Sequence, residues 1–133
     1  MRRTAALADE RGSSPVEFVL VGALLTALVF SVLQVAFAVY VRNVVHDAAV
    51  EGAHYAALAD TTLGEGAERT RTVITRAVGA DYAGDVSVGQ DSSLGHESVV
   101  IRVRASLPVL GLIGVPYGME VEGRAPVESF GDD

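Results

Sequence analysis

The sequence predicts an α+β protein. A long N-terminal transmembrane helix continues into an extracytoplasmic helix, followed by a second short helix and a small antiparallel sheet of about three strands. Three observations carry this reading. Residues 18–41 hold no charge, residues 42–59 hold no proline, and the chain beyond Asp85 alternates between apolar and polar side chains. Alternation with a period of two is the mark of a half-buried strand.

The apolar run, Phe18 to Val41, has Thr26, Ser31 and Gln34 as its most polar members. At about 1.5 Å per residue its 24 residues reach roughly 36 Å, enough to cross a hydrocarbon core of about 30 Å. Leu24, Leu25, Leu28, Val29, Val32, Leu33, Val35 and Phe37 leave it no polar face. Such a helix belongs in lipid or in a large protein core, and the roughly 90 residues that follow cannot build one. Membrane lipid is therefore the first expected partner. Arg2, Arg3 and Arg11 precede the run, whereas Arg42 alone follows it closely. That asymmetry predicts a single-pass protein of the cytoplasmic (plasma) membrane, with its N-terminus inside and its C-terminal domain outside.

The expected organisation is a cytoplasmic leader at 1–12, a transmembrane helix at 13–41, its continuation at 42–59, and a small outer domain at 60–133 with a flexible acidic tail. Within 42–59, Ala48, Gly52 and Ala56 recur at every fourth residue, with Ala49, Ala53 and Ala57 beside them. A strip of small side chains lets another backbone approach closely. Glycine inside a helix costs about 1 kcal/mol relative to alanine, so Gly52 points to packing and not to helix propensity.

In the outer domain, Thr62-Leu63-Gly64-Glu65 has the form of a capping box. It opens a helix from about Gly64 to Val78, with Gly79 as terminator. A turn at Asp81–Asp85 leads to a short strand, Asp85–Val88. Val99, Ile101, Val103, Ala105 and Leu107 form one face of a second strand, and Met119, Val121, Gly123, Ala125 and Val127 one face of a third. Antiparallel pairing would set Arg102 and Arg104 opposite Glu120 and Glu122. The apolar stretch Pro108–Pro116 reads either as a buried connection or as a loop touching the bilayer or a partner subunit.

Charge and composition exclude several functions. The chain carries a net charge of −7, and residues 43–133 hold fourteen acids against six arginines, a net −8. Nucleic-acid binding needs cations on the phosphates, so none is expected. With no cysteine, neither disulfide nor thiolate chemistry is available. Gly-x-Ser-x-Gly, Walker and HExxH patterns are missing, and His46, His54 and His96 have no metal-site spacing. The expectation is a non-enzyme with no cofactor, metal or small-molecule substrate.

The most informative stretch is Arg11-Gly12-Ser13-Ser14-Pro15-Val16-Glu17-Phe18. An ionised carboxylate at the edge of a bilayer core is costly and usually has a purpose. Taken alone, Glu17 could lie in the first helical turn, favoured by the helix dipole, with Pro15 suited to that position. The whole arrangement resembles the cleavage site of type IV prepilins, particularly of the tight-adherence (Flp) group. The resemblance implies cleavage by a prepilin peptidase between Gly12 and Ser13, with Glu17, next to Phe18, as the assembly glutamate that meets the freed amine of a neighbouring subunit. Ser13 stands where many prepilins carry an aromatic residue or methionine.

A second element supports the first. Ala48-Ala49-Val50-Glu51-Gly52-Ala53-His54-Tyr55-Ala56-Ala57 is similar to a conserved helical element of TadE-like pilus-assembly proteins, with Val50 and His54 where arginine is common there. Both motifs stand in the family's order, and together they cover residues 11–59. The resemblance implies a pilin-like fold and a minor pseudopilin of a tight-adherence pilus or secretion apparatus. Its partners would be other pilin-like or Tad-type assembly subunits, and it would enter a surface pilus. Helix packing through Ala48, Ala49, Gly52, Ala53 and Ala56, with Glu17 fixing register, is the implied mechanism. Two other readings stay open: an uncleaved membrane-tethered binding subunit of a secretion system, and a secreted protein cut after Ala38 at the small-x-small sequence Ala36-Phe37-Ala38.

Overall fold

The computed structural model describes residues 13–110 and 113–128. The leader, including Gly12, and the end of the acidic tail lie outside the described residues.

Helix α1 (Ser13–Ala56) is 44 residues long and unbroken, so the apolar run and the continuation are one rod of about 66 Å. Its two halves have different surroundings. From Val16 to Tyr40 the large apolar side chains are exposed. From Val41 onward, Val45, Ala48, Ala49, Gly52, Ala53 and Ala56 are buried. These residues recur at steps of three and four, the stripe by which a helix faces a core. The helix ends at Ala56, slightly before the expected Ala59. The Leu58 N–H bonds the Tyr55 carbonyl three residues back, and the Thr61 hydroxyl donates to the Leu58 carbonyl, which tightens and closes the last turn.

Helix α2 (Leu63–Ala77) starts as its capping box requires. The Glu65 N–H donates to Thr62 Oγ1 at 3.3 Å, and the Thr62 N–H donates to Glu65 Oε2 at 2.7 Å. Gly79, at φ 109°, follows the C-cap and takes the chain out of the helix. A 3₁₀ turn at Ala80–Tyr82 then leads into the sheet.

The strands are β1 (Asp85–Asp91), β2 (Ser98–Leu110) and β3 (Ile113–Pro126), antiparallel in the order β1-β2-β3. Val86, Val99, Ile101, Val103, Ala105, Met119, Val121 and Ala125 join the buried stripe of α1 in one core. The helices cover one face of the sheet, α1 over β2 and β3, and α2 against α1 and β1. The other face is a charged ladder in the expected pairing: Arg102 opposite Glu122 and Arg104 opposite Glu120. The ion pairs close at 2.7 Å and 2.8 Å. Arg124 adds a bond of 2.7 Å to Asp91 and a second contact to Glu122. Exposed pairs of this kind contribute at most about 1 kcal/mol each.

Two expectations change in extent. β1 runs on to Asp91, where the Asp91 carboxylate takes the Ser93 N–H at 2.9 Å and the Ser93 hydroxyl at 2.8 Å to open the turn. The stretch Pro108–Pro116 is no free connection. Pairing continues to Leu110↔Ile113, with register shifts between Ala105 and Leu107 and between Pro108 and Leu110. Proline has no N–H to give a ladder, so the shift beside Pro108 is where such a hairpin yields.

The small residues set how close the layers come. A methyl group on Gly52 would lie 2.6 Å from the Gly66 carbonyl oxygen and run into the Thr70 hydroxyl. On Gly66 it would lie 2.7 Å from the Gly52 carbonyl oxygen, and on Gly123 it would strike the α1 backbone at Ala49 and Val50. Gly52→Ala and Gly123→Ala should each destabilise the outer domain by about 2 kcal/mol or more in denaturant titrations of the micelle-bound protein, as overpacking does. Gly89, with nothing within 4 Å of an added Cβ, should accept alanine within about 0.5 kcal/mol.

The ladder also sets an acid limit. The backbone N–H of Ser93 first, then its hydroxyl and Arg124, hold the Asp91 carboxyl down at about 2. Arg124 and then Arg102 hold Glu122 below its ordinary value, and the Thr62 N–H does the same for Glu65. Depressed carboxylates stabilise the fold fully above their unfolded values near 4 and lose that contribution as pH falls through the folded ones. Thermal midpoints should therefore hold steady from pH 7 to about 5 and fall between about 4 and 2. Asp91→Asn should lower the midpoint at pH 7 and converge with the unaltered protein near pH 2.

Candidate functional site

The residues singled out in the sequence divide into two groups along α1. Ser13, Glu17 and Phe18 lie at its N-terminal end, and all three are exposed. Helical geometry places Glu17 one turn beyond Ser13, and the Ser13 hydroxyl donates to Glu17 Oε1 at 3.1 Å. Among the described residues of α1, Pro15 falls in the first turn and Glu17 in the second. Among the described residues no cation pairs with Glu17. The surrounding surface is apolar: Val16 and Phe18 are 67% and 80% exposed.

The two hydroxyls further along are self-contained. Thr26 Oγ1 donates to the Gly22 carbonyl and Ser31 Oγ to the Ala27 carbonyl, each at 2.8 Å. Hydroxyls bonded to their own helix leave no donor for hydrocarbon to strand. Helix α1 is long and apolar enough to cross a membrane, and its most apolar window is fully exposed within the chain. Such a surface is compatible with a single-pass membrane protein, whereas a core helix of that length would be covered.

The second group is Ala48, Ala49, Gly52, Ala53 and Ala56. All five are buried against the chain's own C-terminal domain. The backbones that use this strip belong to α2, at Gly66, and to β3, at Gly123. The buried Thr70 hydroxyl spans the α1–α2 contact, donating to Gly66 O at 3.0 Å and lying 3.3 Å from Ala48 O. Glu51, exposed beside the strip, pairs with Arg69 of α2 at 2.7 Å, and Arg69 also stacks over Tyr55. The strip is therefore occupied within one chain. The surface of α1 left for other molecules is its N-terminal half.

Sequence reasoning did not single out the partners of that strip. Gly66 and Gly123 carried a signal, because glycine in a helix interior is unfavourable and glycine within a strand marks close backbone approach. Thr70 carried none, since a threonine at that spacing reads equally well as solvated.

Comparison with curated proteins and with solved structures gives no match. Comparison with protein families does. The matched segment opens at Gly12, immediately before the Ser13–Glu17 turn, and closes at His54, inside the buried strip. It thus takes in nearly all of α1 and most of both motifs on which the resemblance rests, Gly12–Phe18 of the first and Ala48–His54 of the second. Over residues 12–54 the chain matches the family described as TadE-like protein.

Proposed function

We propose that this protein is a pilin-type assembly subunit of a tight-adherence pilus or a related secretion apparatus, structural and not enzymatic in its role. The observation that carries the reading is an exposed carboxylate, Glu17, one helical turn into an exposed apolar helix. It follows Gly12-Ser13 in the segment that matches the TadE-like family. Prepilin peptidase cuts between Gly12 and Ser13, leaving a free amine at Ser13. The chain then stays in the membrane through α1, with the leader arginines inside and the sheet outside.

Glu17 gives that arrangement an assembly mechanism. An unpaired charge in hydrocarbon costs several kcal/mol, and opposite charges attract more strongly there than in water. The Ser13 amine and the Glu17 carboxylate are four residues apart, about 6 Å along the axis. Two parallel chains staggered by one helical turn therefore set the amine of one against the carboxylate of the next. Packing of the N-terminal halves of α1 brings the chains together, and the charge pair selects the register. The burial of Ala48, Gly52 and Ala56 within each chain supports this division, since the outer domain is carried as a finished unit.

Mass spectrometry of the N-terminal peptide from native membranes and sheared surface material should find a chain that begins at Ser13. A chain beginning at Met1 throughout would refute the processing step, and one beginning at Val39 would show a secreted protein. Glu17→Gln should be trimmed normally and anchored normally, yet be missing from sheared surface fractions. Surface incorporation equal to that of the unaltered protein would remove the role given to Glu17.

A further inference from the structure

The β2–β3 hairpin has a direction relative to α1 that its sequence makes meaningful. Gly123 of β3 sits on the α1 backbone at Ala49. Further along the hairpin, Leu107 and Pro108 face Gln34, Val35, Ala38, Val39 and Arg42 across a notch of about 310 Å³. Moving from Gly123 toward the hairpin end is thus moving down α1, into its apolar run. Pairing continues from Leu107↔Val115 to Leu110↔Ile113. Those three residues add about 10 Å, the length of roughly six residues of helix.

The charges change at the same level on both elements. On α1, Arg42 is the first charge after the run 18–41. On the hairpin, the Arg104–Glu120 pair is the last charged rung, and residues 105–119 contain no charge. Arg42 and Leu107 border one notch. The charge-free part of the hairpin therefore begins where the charge-free part of the helix ends. Tyr40 and Tyr117, one in each element, are the residue type that favours the headgroup level. Pro108 and Pro116 carry no N–H, which lowers the number of donors that the hairpin edges would bring into lipid.

We propose that the charge-free part of the β2–β3 hairpin, from Leu107 to Leu110 and from Ile113 to Val115, enters the membrane beside α1, at the boundary between headgroups and acyl chains, and that lipid acyl chains fill the notch between them. The domain then touches the bilayer at two points, the helix and the hairpin, and cannot rotate freely about the helix. Lipid is favoured over a second copy because the boundary on the hairpin coincides with the boundary on the membrane helix of the same chain. A protein partner would impose no such coincidence.

The test uses the unsubstituted full chain in phosphatidylcholine vesicles containing a lipid with a photoactivatable diazirine in its acyl chain. After irradiation, trypsin separates residues 12–42, 77–102 and 105–124 at the arginines. The peptide 105–124 should be labelled well above 77–102, with 12–42 labelled most strongly. Labelling of 105–124 no greater than that of 77–102 overturns the proposal, whether water or another subunit covers the hairpin. The label on 12–42 reports the span of α1 separately, and neither readout depends on leader cleavage or assembly.

Discussion

The contact on which the outer domain depends is the meeting of two glycines, Gly52 of α1 and Gly66 of α2. Each occupies the space that a methyl group on the other would need, and each carbonyl oxygen lies against the opposing helix. Two helices that touch at backbone distance gain dispersion contact along the whole crossing. The Thr70 hydroxyl completes the seam by bonding within it. The sheet repeats the arrangement on the other side, where Gly123 lets β3 lie directly on α1. A helix whose large apolar side chains lie exposed from Val16 to Tyr40 is thereby clasped from two directions over its last four turns.

That clasp explains how a small domain without disulfides can hold together. About a third of α1 acts as a core element for α2 and the three strands, so the apolar stripe from Val41 to Ala56 supplies part of the core that residues beyond 60 could not supply alone. The long helix and the folded domain share a backbone and a single hydrophobic cluster. The N-terminal half remains bare, and its one carboxylate, Glu17, is the feature of that surface that a neighbour could recognise.

Much of the fold was legible because its signals are local. The Thr62–Glu65 box, the charge-free run and the alternation of Arg102 and Arg104 with valines each specify one element with little outside help. The pairing of Arg102 with Glu122 and Arg104 with Glu120 followed from charge complementarity across strands. The destination of the small-residue strip was not legible. Ala48, Gly52 and Ala56 announce that a backbone comes close, but nothing in their spacing says whether it is the chain's own or another's. Strand length at Pro108–Pro116 was hidden for a related reason: proline argues against pairing locally, and the bulged hairpin tolerates it only because both arms continue to meet. For the candidate site, the one-turn spacing of Ser13, Glu17 and Phe18 could be read because all three fall in one helical segment.

The unbroken course of α1 has a mechanical consequence. Between Ser13 and Ala56 no loop interrupts the helix where torque or tension could dissipate. A pull on the buried end, or a twist imposed by helices crowding around it, travels along one stiff shaft into the clasp at Gly52 and from there into the strands. The domain would thus swing, rise or turn in step with whatever grips the shaft below, as the head of a key follows its blade.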